Sequence, residues 1–89
     1  LRRLYLSEPH VLIAETKHGI GLVYRMINNI EQALNFLMDA LEQYQAILPD
    51  DHSAVANILH DIADCFFQKG HTDRALHNYQ LALQMKEKH

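Results

Sequence analysis

Sliding the sequence along itself by 42 positions brings like residues together over most of its length. Leu6 falls on Leu48, His10 on His52, Ala14 on Ala56, His18 on His60 and Ile20 on Ile62. Further on, Ala33 falls on Ala75, Leu34 on Leu76, Ala40 on Ala82 and Leu41 on Leu83, with Ile13/Val55, Gly21/Ala63, Tyr24/Phe66 and Glu31/Asp73 as near matches. A fixed period of this size is the signature of a stacked repeat architecture, in which each unit is one supersecondary motif that buries its apolar face on its neighbours. Two copies of one unit account for nearly all of the 89 residues.

Apolar residues in each copy recur at steps of three and four, the spacing that gives a helix one buried stripe. The first stripe is Val11, Ala14, Ile20, Val23, Tyr24 and Ile27, and the second is Ile30, Ala33, Leu34, Leu37, Ala40, Leu41, Tyr44 and Leu48. In the second copy Val55, Ile58, Leu59, Ile62, Ala63 and Phe66 are followed by Ala75, Leu76, Tyr79, Ala82 and Leu83. This pattern predicts four helices, two per copy, in an all-α chain with no strand.

The breaks agree with that count. Ser7 is expected to cap the first helix with Pro9 in its opening turn, and Asp50 or Asp51 to cap the third after Pro49 stops the second. Asn28-Asn29 and Gly70-His71-Thr72 mark the turns inside each copy, with Asn28 and Gly70 suited to the left-handed backbone and Asn29 with Gln32 similar to a capping box. Leu1–Leu6 align with Gln43–Leu48, which predicts the tail of a preceding helix at 1–6, a first repeat at 8–48 and a second at 50–88 within one segment spanning 1–89. The first residue is Leu1 rather than Met, so the segment is read as a piece of a longer protein.

Composition narrows the function. Eight basic against eleven acidic residues give a net charge of −3, the wrong sign for gripping a phosphate backbone, so no nucleic-acid partner is expected. No apolar run reaches the roughly 18 residues of a membrane span, and no membrane partner is expected either. Cys65 has no second cysteine to pair with, which suits a reducing compartment and a cytoplasmic location. No Ser or Cys nucleophile stands at a readable spacing from a base and an acid, and glycine-rich phosphate loops are missing, so the segment is read as non-enzymatic and without cofactor. His18 and His60 repeat because the unit repeats. Asp61, Asp64 and Cys65 are expected to lie off the face of His60, so no metal site is expected.

The pattern Ile20-Gly21-x2-Tyr24-x3-Asn28-x4-Ala33-x3-Leu37-x2-Ala40, with its copy Ile62-Ala63-x2-Phe66-x3-Gly70-x4-Ala75-x3-Tyr79-x2-Ala82, resembles tetratricopeptide repeats. The spacing of 42 and the acid-histidine segments Glu8-Pro9-His10 and Asp50-Asp51-His52 are similar to the longer repeats of kinesin light chains. The resemblance implies an α-α superhelix, a tetratricopeptide solenoid of two helix-turn-helix repeats, that binds a peptide or helix of a partner protein on its concave face. By that resemblance the inward positions are Glu15, His18, Leu22, Arg25 and Met26 in the first copy and Asn57, His60, Asp64, Phe67 and Gln68 in the second. The Lys and Asn positions with which similar repeats clamp chaperone C-termini hold His18, Leu22, His60 and Asp64 instead, so that ligand is not expected. The competing expectation is structural: end-to-end stacking or self-association through end faces that carry Ala75, Leu76, Tyr79, Ala82 and Leu83 on the last helix and Leu1, Leu4, Tyr5 and Leu6 at the other end.

Overall fold

A computed structural model describes residues 9–49 and 52–87. Among them the chain forms four helices and no strand: α1 (Pro9–Met26), α2 (Ile30–Ile47), α3 (Ser53–Lys69) and α4 (Thr72–Glu87). Helices α1 and α2 pair as one hairpin and α3 and α4 as the other, and the hairpins meet mainly through α2 on α3. The architecture is the all-α pair of helix-turn-helix units that the repeat predicts.

Turn chemistry places the hairpins. Asn28 takes a φ of 67° and Gly70 a φ of 88°, so both helices preceding the internal turns end in left-handed backbone at equivalent positions. Gly70 N–H closes α3 onto Phe66 and Phe67 carbonyls, and Ala at that position would have to adopt a backbone that side chains resist. Asn29 caps α2 by accepting the Gln32 N–H. The cap of α3 differs from the expected Asp50 or Asp51, which fall outside the described residues: His52 Nδ1 accepts the Ala54 N–H at 3.0 Å. A neutral imidazole nitrogen supplies the same acceptor as a carboxylate. Ser7, expected to cap α1, and the predicted helix tail at 1–6 also lie outside the described residues.

The core is built from the second, third and fourth stripes. Ala33, Leu34, Leu37, Ala40 and Tyr44 of α2 pack on Val55, Ile58, Leu59, Ile62, Cys65 and Phe66 of α3, closed by Ala75 and Ala82 of α4. The small residues sit where helices approach most closely: a Cβ added to Gly21 would lie 2.8 Å from Leu37 Cδ2 and 3.2 Å from the Ala33 carbonyl oxygen. Ala75 is buried at the same kind of contact. Ala75→Leu is therefore expected to overpack the α3–α4 hairpin and destabilise by about 1–3 kcal/mol, read as a lower melting temperature in circular dichroism. An unchanged melting temperature would refute the close approach.

The first stripe is where structure and sequence part. Ala14 is buried and Val11 and Tyr24 are half-buried, but Ile20, Val23 and Ile27 face outward. The second copy explains why. Shifted by 42, Ile13, Ile20 and Val23 become Val55, Ile62 and Cys65, all buried under α2, so Val23 is 57% exposed where Cys65 is fully covered. At the other end Leu76 and Leu83 of α4 take the places of Leu34 and Leu41 of α2, and Leu76 is 57% exposed against 7% for Leu34. The outer faces of α1 and α4 thus repeat, without a partner among the described residues, the two halves of the α2–α3 interface.

One ion pair ties that interface at its edge. Lys69, in the last turn of α3, donates to Glu31 in the first turn of α2, with each charge placed favourably for its own helix dipole. Hydrogen bonding and charge from Lys69 hold the Glu31 carboxyl below its ordinary range. A depressed carboxylate stabilises the fold at neutral pH and loses that contribution as pH falls through its folded value.

Candidate protein-binding groove

The two first helices, α1 and α3, lie side by side and are joined by two charged contacts. His18 Nε2 stands 2.7 Å from Asp61 Oδ2, and Arg25 Nη1 donates to Asp64 Oδ2 at 2.8 Å. Both pairs are partly buried. Steps of seven residues on α1 and three on α3 place them one above the other along the seam. In this geometry the Arg25–Asp64 charges are screened less by solvent than those of a fully exposed pair.

Asp64 is the busiest group. Besides Arg25, it accepts the Tyr79 hydroxyl from α4, and His60 Nδ1 lies 3.6 Å away on the next turn of α3. The His60 and Tyr79 rings meet edge to face with centroids 5.1 Å apart. Burial, reinforced by the bond to Asp64, pushes the Tyr79 hydroxyl up to about 12, so it remains a donor at neutral pH. Beneath this network burial raises the Cys65 thiol to about 11, which leaves it protonated and unreactive.

Around the seam the other predicted residues divide into two groups. Arg25, Met26, Asp64, Phe67 and Gln68 come together on one open cavity of about 450 Å³. Met26 is 79% exposed and Phe67 62% exposed, large apolar side chains held in water at its rim. Glu15, Asn57 and His60 stand exposed further along the two helices, while His18 and Leu22 are half-buried. Five of the ten predicted residues, those nearest the C-terminal ends of α1 and α3, therefore converge on this cavity.

Asp61 and Tyr79 belong to the site and were absent from the predicted set. Repeat spacing gives the face of a helix but not the lateral offset that brings Asp61 to His18, and Tyr79 reads in sequence as a core position of α4. The expectation that Asp61 and Asp64 lie off the His60 face is also corrected: ligand atoms of His60, Asp61 and Asp64 all lie within 4.8 Å of one another. Each carboxylate already has a partner, however, and the Arg25 guanidinium on Asp64 opposes a second cation there.

No helix among the described residues is long and apolar enough to cross a membrane. No curated protein matches the chain. A family profile described as tetratricopeptide repeat matches residues 12–88, from the first turn of α1 to the end of α4. Paired antiparallel helices, small residues at the crossings and that match lead to one conclusion: the chain belongs to the tetratricopeptide repeat family of protein-interaction modules.

Proposed function

We propose that the face shared by α1 and α3 is the concave surface on which this module holds an extended peptide or a helix of a partner protein. The observation that carries the reading is the exposed pair Met26 and Phe67 beside the Arg25–Asp64 bond on one cavity. Large apolar side chains that a partner removes from water are the usual anchors of binding energy. Gln68 and Asn57 offer amide groups to a peptide backbone, and Glu15, His18, Leu22 and His60 extend the track. Because His18 and Arg25 are already paired with Asp61 and Asp64, the groove selects by apolar fit more than by charge.

A peptide library displayed on yeast and sorted against the purified chain tests this. Peptides that bind wild type should lose at least about tenfold in affinity, roughly 1.4 kcal/mol, toward Met26→Asp/Phe67→Asp and keep it toward Leu76→Asp/Leu83→Asp. Retention by the groove variant would overturn the reading. A second reading has its own observation, the repeated halves of the α2–α3 interface on the outer faces of α1 and α4. Under it, the chain stacks head to tail, a contact that does not close on itself. Sedimentation of the same two variants separates the readings, since stacking is lost in Leu76→Asp/Leu83→Asp and untouched in the groove variant.

A further inference from the structure

One aromatic contact of the first hairpin has no counterpart in the second. In the first, Tyr24 of α1 stacks on Phe36 of α2, with ring centroids 5.6 Å apart and planes 19° from parallel. Moved by 42 positions these residues become Phe66 and Asn78, so the second hairpin keeps the inner ring and lacks the outer one. Asn78 does not fill the place: its side-chain amide turns back to donate to the Arg74 carbonyl at 2.9 Å. What remains is an open cavity of about 430 Å³ lined by Phe66, Asp73, Arg74, His77 and Asn78. Across it lies the Arg74 guanidinium, with Cζ 5.8 Å from the Phe66 ring centroid, nearly the separation of the two rings in the first hairpin.

From this we infer that the α3–α4 hairpin carries a second binding site, a slot that takes an aromatic side chain of a partner peptide in the position Phe36 occupies in the first hairpin. The slot lies apart from the groove of Met26 and Phe67 and shares none of its lining residues. Arg74 is its cover. An exposed arginine held over a ring by cation–π attraction at a solvent-facing site is weakly bound and has many alternative rotamers. An incoming ring takes its place against Phe66 with the offset-stacked geometry that aromatic pairs prefer, and the displaced guanidinium can lie over the guest's outer face. An aliphatic guest would displace Arg74 without either gain, so the slot distinguishes rings from branched chains.

The test is a two-dimensional amide NMR titration of the chain with N-acetyl-tryptophanamide, with N-acetyl-leucinamide as a parallel probe. Saturable shifts at the Phe66, Arg74 and Asn78 amides are expected for the tryptophan probe and not for the leucine probe. Asn78→Phe, which rebuilds the first hairpin's pair inside the second, should abolish them and raise the melting temperature. Arg74→Ala, which removes the cover at an exposed position, should leave them in place. Phe36→Asn should open an equivalent slot, giving new shifts around Tyr24. Shifts that are absent, that persist in Asn78→Phe, or that are matched by the leucine probe would overturn the assignment.

Discussion

Leu37→Ala is expected to lower the unfolding free energy by about 2–5 kcal/mol, the range for truncating a fully buried leucine, and to remove most of the cost of a second substitution. Leu37 is completely buried, and its side chain occupies the space that a Cβ on Gly21 would need. In the wild-type background Gly21→Ala should destabilise, because an overpacking cost of about 1–3 kcal/mol exceeds the roughly 1 kcal/mol that alanine gains over glycine within a helix. In Leu37→Ala the 2.8 Å conflict is gone and only the 3.2 Å approach to the Ala33 carbonyl oxygen remains against the helix gain, so Gly21→Ala should lose most of its cost. Urea denaturation of the four proteins measures the coupling. Additivity within about 0.5 kcal/mol would mean that the two residues do not share one packing site.

Asp64→Ala should cost about 2–3 kcal/mol, since it removes the acceptor of Arg25 and Tyr79 together and leaves a guanidinium in a partly buried seam without its counter-charge. Asp64→Asn keeps one acceptor for the tyrosine and should cost less. Combining Asp64→Ala with Arg25→Met should recover part of the loss, because an apolar pair has no unpaired charge to desolvate. Thermal denaturation distinguishes these outcomes. If Asp64→Ala melts with wild type, the network does not contribute to holding α1 against α3. The same variant uncovers Arg25, so peptides selected on it should shift toward acidic sequences.

The parts of the fold that could be read from sequence were those the repeat states twice. Small residues at Gly21/Ala63, Ala33/Ala75 and Ala40/Ala82, together with Asn28 and Gly70 at the turns, fix the hairpins before any packing is known. Helix α1 was misjudged because it has two apolar stripes. Its bulky one, through Ile20, Val23 and Ile27, suggests a core, whereas the tight contact runs through Ala14 and Gly21, which contribute little apolar bulk. That positions on α1 and α3 lie side by side was legible, but which of them bond to one another was not. Whether His18 meets Asp61 or another residue depends on a helix offset of a few ångströms that no periodicity encodes. Tyr79 reaches Asp64 only because α4 leans its half-buried ring toward α3.

The unequal cover on the helices gives the groove one stiff wall and one compliant wall. Helix α3 is clasped on two sides, by α2 and by α4, whereas among the described residues α1 packs chiefly on α2 and touches α3 lightly. Local opening costs least where fewest contacts must break, which is between the two hairpins, so the width of the proposed groove changes as α1 swings together with α2 against α3 and α4. The His18–Asp61 and Arg25–Asp64 bonds are the tethers that limit the swing. Under the proposed peptide-binding function, adaptation to guests of different girth falls to this movement between hairpins, and the register of a bound peptide to α3, which is held on two sides.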